Sequence, residues 1–74
     1  MSDFVLLPWE NKIIHKNIIA EIFEEENKDM DTPTARVVVV ALSTRYGEHH
    51  EHSKWMGKDK ADQMFLDLWE RLNQ

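Results

Sequence analysis

Residues 35–46 read Ala35-Arg36-Val37-Val38-Val39-Val40-Ala41-Leu42-Ser43-Thr44-Arg45-Tyr46, and the four consecutive valines decide the fold. A β-branched side chain is restricted at χ1 in a helix and fits a pleated surface, so the segment is expected as a strand. Side chains alternate along a strand. Val38, Val40 and Leu42 therefore point to one face, and Val37, Val39 and Ala41 to the other. An antiparallel sheet covered on one face alternates apolar with polar residues. This strand does not, so both faces are expected to be buried near its middle.

Upstream, residues 12–25 carry Ile13, Ile14, Ile18, Ile19 and Ile22 with Phe23. In a helix these would spread around most of the cylinder. The five isoleucines favour a strand, with a helix as the alternative. Read as one continuous strand, Ile14, Ile18, Ala20 and Ile22 share a face, and Ile13, Ile19 and Phe23 share the other. Residues 4–7, an apolar run stopped by Pro8, are expected as an edge strand or an extended lead-in, because proline removes a ladder donor. Residues 26–34 contain Asn27, Asp29, Asp31 and Pro33 and read as a loop.

Downstream, Gly47 permits a turn or a bulge, and residues 48–56 are expected as a third strand. Gly57 precedes the clearest helix, residues 58–72. At about 100° per residue, Ala61, Phe65, Leu68, Trp69 and Leu72 fall on one stripe. Asp59 and Asp62 sit in its first turn and Arg71 in its last, each where the helix dipole favours that charge. Met64 and Leu66 widen the apolar arc beyond that of an ordinary surface helix. Trp55 is expected to pack against this helix. The whole chain, residues 1–74, is thus expected as a single small α+β domain. Its antiparallel sheet has three strands (four in the alternative) packed by one C-terminal helix, in the order β-β-β-α.

One helix covers one sheet face. The second is expected to be covered by residues 4–9, by residues 10–25 in helical form, by a second copy, or by another protein. An uncovered apolar patch is something soluble monomers avoid.

The composition bounds the function. The 74 residues are 42% hydrophobic and 31% charged, with 14 acids against 9 Lys and Arg and a net charge of -5. That is the balance of a folded soluble chain. There is no cysteine, which excludes disulfides and cysteine-based zinc sites. No apolar run approaches the about 20 residues of a membrane-spanning helix. No Lys or Arg precedes Lys12, so the start does not read as a secretory signal. A cytoplasmic protein without membrane contact is the expectation.

Several clusters were candidates for chemistry. In Glu48-His49-His50-Glu51-His52, strand geometry puts His50 and His52 on one side, where they are weak candidates for metal ligands. The spacing matches no helical H-E-x-x-H site. Solvated polar residues are the simpler reading, and neither a metal nor another cofactor is expected. Ser43, Thr44 and Ser53 lack a nucleophile motif, and no phosphate-binding loop or dinucleotide fingerprint occurs. An enzyme is not expected.

The acids Glu24, Glu25, Glu26, Asp29 and Asp31 lie in a short segment with Lys28 as the one base. Such a run attracts basic surfaces. It suits either a solvated hairpin tip or an acidic mimic of DNA that occupies a nucleic-acid-binding protein. Arg45, Tyr46, Lys54 and Trp55 form a milder basic-aromatic region of the kind that binds single strands. The acidic balance argues against nucleic acid as a partner. The leading expectation is a non-enzymatic protein-interaction module, a small accessory or inhibitor protein of bacterial or phage type. It would bind a protein partner stoichiometrically, with a homodimer favoured. The residues expected to meet the partner are Glu24, Glu25, Glu26, Asp29, Asp31, Val37, Val39, Met64 and Leu66.

Overall fold

A computed structural model describes residues 3–28, 33–43 and 45–74. Asp29 and Asp31 of the expected partner-binding acids lie outside the described residues, as does Thr44. The fold is a small α+β arrangement in which a sheet packs against a single C-terminal helix. Its elements are β1 (Phe4–Leu6), β2 (Ile13–His15), β3 (Ile19–Asn27), β4 (Thr34–Ser43), β5 (Gly47–His52), β6 (Met56–Gly57) and α1 (Lys58–Leu72). The valine-rich β4 is central. It pairs antiparallel with β3 on one side, and with β5 and then the two-residue β6 on the other.

β5 and β6 make one edge of the sheet with a break at Ser53, Lys54 and Trp55, where a single third strand was expected. The break is held by a side chain in place of backbone. The Val37 N–H donates to Ser53 Oγ at 3.0 Å, and the Ser53 N–H donates to the Val37 carbonyl at 2.9 Å. Ser53 is the one buried polar residue among those described. Its hydroxyl does what the ladder cannot do there, since a buried backbone N–H needs a partner.

The expected strand over residues 12–25 is two strands in two sheets. A 3-10 turn at Lys16–Ile18 separates them, and His15 caps it by accepting the Asn17 N–H on Nδ1 at 3.1 Å. Before the turn, β2 pairs with β1 in a separate hairpin, with Val5 opposite Ile14 and Leu6 opposite Ile13. The segment expected as an edge strand or lead-in is therefore half of this hairpin. Pro8 sits just beyond it, outside the ladder. After the turn, β3 contains a bulge. Ile19 faces Ala41 and Glu21 faces Val40, leaving Ala20 without a partner. The extra residue resets which side chains share a face. Ile19 now points the same way as Ile22, while Phe23 points away with Glu21 and Glu25. β3 also continues through Asn27, two residues into the expected loop.

Two bodies lie on one side of the sheet. α1 buries Ala61 and Leu68 completely, and Leu68 packs in one cluster with Val37 and Val39. The β1–β2 hairpin lies beside it and contributes Val5, Leu7 and Ile14 to the same core. Trp9, Ile19, Ile22, Met64, Phe65 and Leu72 close its margins. The hairpin is tied to the helix end by the Arg71 guanidinium on the Leu6 carbonyl (3.0 Å) and by Lys16 Nζ on the Gln74 carbonyl (2.9 Å). A Lys12–Glu51 ion pair ties it to β5.

The helix has the expected bounds, but its stripe is shifted. Trp69 is 53% exposed, while Met64 packs against the core in its stead. Trp69 lies on the flank of Asp62, toward β3. β3 is the last strand of the sheet on that side.

Candidate interaction surface

The even-numbered residues of β4 face away from both covering bodies. Register arranges this face in rows. Glu21, Val40 and His50 form one; Phe23, Val38 and His52 form the next; Glu25 and Arg36 form a third. Leu42 shares a row with Glu48 and has no partner on β3. Val38 is 4% exposed and Val40 6%, although among the described residues no helix or strand is layered over them. The longer side chains of the flanking strands close over the short valines in each row. Leu42, flanked on one side only, is 51% exposed. Both sides of β4 bury their valines, as the sequence suggests, but among the described residues one side does so without a second layer.

Arg36 organises the lower part of this face. Its Nη2 lies 2.7 Å and its Nε 2.9 Å from Glu25 Oε1, its Nη1 lies 3.4 Å from His52 Nδ1, and its guanidinium sits 4.5 Å from the Trp55 ring centroid. Trp55 is thus stacked on Arg36, where it was expected against the helix. The break after Ser53 turns it outward, and an indole face attracts a guanidinium.

The acids of β3 divide between the two faces. Glu25 is held by Arg36. Glu24 lies on the helix side, where Lys58 Nζ reaches it at 3.3 Å, Asp62 at 2.6 Å and Glu26 at 4.0 Å. Burial pushes the Glu24 carboxyl up and neighbouring Asp62 adds to this, while Lys58 pulls it back. The Asp62 carboxyl is held down, chiefly by its hydrogen bond from Lys58. Glu24 and Glu25 are therefore engaged within the chain, and Glu21 and Glu26 remain exposed.

The histidines also divide. His50 Nε2 lies 3.2 Å from Glu48 Oε2, and His52 turns to Arg36. His49 is on the other side of β5, where it contacts Glu51. The Lys12 ammonium, helped by His49 and Glu10, holds the Glu51 carboxyl at about 2 against the opposing effect of burial. Among the described residues no three His, Asp or Glu side chains gather as metal ligands would.

The expected partner contacts do not share one surface. Val37 and Val39 are fully buried under α1, and Met64 is at the core margin. Leu66, 57% exposed, lies on the outer side of the helix, with the helix and sheet between it and the even face of β4. The alternation of valines made the two β4 faces equivalent in sequence, and the helix took the odd one. Arg45 and Tyr46 stack on each other at 5.6 Å in the β4–β5 turn. Trp55 lies beyond the other end of β5, a six-residue strand of roughly 20 Å, so the basic-aromatic residues are not brought together.

Sequence reasoning missed Phe23, Arg36 and Leu42 as surface groups. Leu42 followed from the alternation in β4. Phe23 did not, because its face depends on the bulge at Ala20.

Among the described residues, apolar side chains are also exposed at Phe4, Leu6 and Ile13 on the outer side of the hairpin, and at Leu66 and Trp69 on the helix. Both groups are short. The even face of β4 is three strands wide, with its charges placed by register. Among the described residues no helix is long and apolar enough to cross a membrane. Comparison with protein-family models, with curated proteins and with solved structures finds no match for this chain.

Proposed function

We propose that this chain is a non-enzymatic protein-interaction module, a small accessory or inhibitor protein that binds a protein stoichiometrically through the even face of its sheet. The observation that carries this reading is that, among the described residues, no helix or strand is layered on that face and Leu42 is half exposed on its centre line. Leu42, Phe23 and Trp55 would supply the apolar contact, and a well-packed strand keeps them in place before the partner arrives. Anchors of this kind, desolvated on docking, dominate binding energy. Glu21 and Glu48 at the margins would steer a basic or hydrogen-bonding partner.

A binding role in preference to catalysis is supported by how the polar groups are spent. Glu25, Arg36, Glu48, His50 and His52 are engaged with one another along the face. They do not converge on a cleft.

The test is capture from a lysate of the native host with the full chain as bait, read by mass spectrometry. Leu42→Arg and Trp55→Glu should each abolish capture of the specific partner, while Leu66→Arg on the opposite side leaves it intact. If the Leu42 and Trp55 variants capture the same protein as the parent, the even face is not the binding surface.

A further inference from the structure

We propose that the occupant of the even face is a second copy of the chain, stacked face to face about a two-fold axis running along β4. This rests on the reading of that face as a protein-binding surface, and names the partner.

The argument is one of symmetry and register. A two-fold along β4 keeps each row at its own height and exchanges left for right, so β3 of one copy lies over β5 of the other. In the Val40 row this sets Glu21 over His50 of the second copy, and His50 over Glu21 of the second copy. In the Val38 row it sets Phe23 over His52, an aromatic ring over an imidazole. Glu21 and Phe23 on the β3 margin thus each meet an imidazole on the β5 margin, and Glu25 stays with its own Arg36. His50 already touches its own Glu48 through Nε2 at 3.2 Å, which leaves Nδ1 to offer across the interface. A two-fold running across the strands would instead place β3 on β3 and set Glu21 and Glu25 against acids of their own kind. Edge-to-edge pairing of β3 would do the same.

Residues on the axis meet their own copies, as an isologous interface requires. Leu42, half exposed, does so, while Val38 and Val40 are already shielded by their own flanking side chains and form the floor beneath the interface. Arg36 also lies near the axis, but each guanidinium is held by its own Glu25 at 2.7 Å and roofed by its own Trp55. Sheets stack face to face at about 10 Å, a distance these side chains fill.

The dimensions of the sheet set an upper bound on the interface. Three strands at about 4.8 Å spacing, along the ten residues of β4 at about 3.3 Å each, make a platform of roughly 14 by 33 Å. With the relief of its side chains, such a platform approaches the about 600–1,000 Å² per partner of a specific complex.

Sedimentation velocity of the full chain from about 1 to about 500 µM is the test. The parent should show a reversible monomer–dimer equilibrium. Leu42→Arg should raise the dimer Kd at least about tenfold, by placing two cations together on the axis. His50→Glu, an exposed edge substitution that leaves the core untouched, should do likewise by facing Glu21 of the second copy. Combining it with Glu21→Lys should restore the Kd to within about threefold of the parent, because each new charge then meets its opposite. A parent that stays monomeric throughout overturns the self-association and leaves the protein-binding reading to the capture experiment. A dimer indifferent to Leu42→Arg and His50→Glu overturns the choice of face. A dimer weakened by both but not restored by the charge exchange overturns the β3-over-β5 arrangement.

Discussion

Replacing Ser53 by alanine removes one oxygen atom and should cost this chain a large part of its stability. The Val37 N–H donates to that oxygen at 3.0 Å, and both residues are buried, Val37 completely. No water reaches the amide once the hydroxyl is gone. A buried donor left unpaired costs about 1–3 kcal/mol. The hydroxyl also donates to the Lys54 carbonyl at 3.0 Å, but Lys54 is exposed and solvent replaces that bond. A domain of this size has roughly 4–11 kcal/mol in all. The loss is best read by urea unfolding followed by far-UV circular dichroism, at one fixed protein concentration. With a slope of about 1 kcal/mol/M, the midpoint should fall by about 1–3 M. Ser53→Thr keeps the hydroxyl and should recover most of the loss. Ser43→Ala is the internal control. Its hydroxyl accepts the Arg45 and Tyr46 N–H groups at 3.2 and 3.3 Å, but in an exposed turn, so its loss should cost about 0.5 kcal/mol. If Ser53→Ala costs no more than Ser43→Ala, the hydroxyl is not what bridges the break between β5 and β6.

Other perturbations separate the layers of the fold. Leu68→Ala should destabilise by about 2–5 kcal/mol in the same assay, because Leu68 is fully buried between α1 and β4, whereas Leu66→Ala on the outer side should stay within about 0.5 kcal/mol. Gly47→Ala should cost about 1 kcal/mol through backbone strain alone: φ is +74° there, and an added Cβ meets no atom within 4 Å. The Lys12–Glu51 pair predicts an acid dependence. The Glu51 carboxyl is held at about 2, below its ordinary value of 4.5, so its ionised form favours the folded state. That contribution is complete above about pH 4.5 and is lost as pH falls toward 2. It is about 1 kcal/mol, since Lys12 is half exposed and solvent screens the pair. Glu51→Gln should lower stability at pH 7 and flatten its decline between pH 4.5 and 2; an unchanged pH profile would show that the pair contributes nothing.

How far the sequence could be read depended on whether a residue's role is local. The run Val37–Val40 reads as a strand because its side chains are β-branched, and residues 58–72 as an amphipathic helix because their apolar residues recur at the helical period. Gly47 marked the β4–β5 turn for the same local reason, the need for a positive φ. The isoleucine segment read as one extended strand, with a helix as the alternative, and not as two strands. Its division at Lys16–Ile18 moves the chain from the covering layer into the sheet, and nothing local requires that. The candidate surface followed the same rule. Leu42 was placed by alternation, whereas Phe23 needed the bulge, and Trp55 needed the break that Ser53 stabilises.

By itself, then, the sequence determined that a two-sided apolar strand lies at the centre of this protein and that one helix follows it. Which side that helix covers was left to the tertiary structure. A period of two makes Val37 with Val39 and Val38 with Val40 equivalent, so no count of residues along β4 distinguishes them. The connection through Ser53 and β6 and the docking of the β1–β2 hairpin break that equivalence, and they leave the other valines to be shielded only by the side chains of their neighbouring strands.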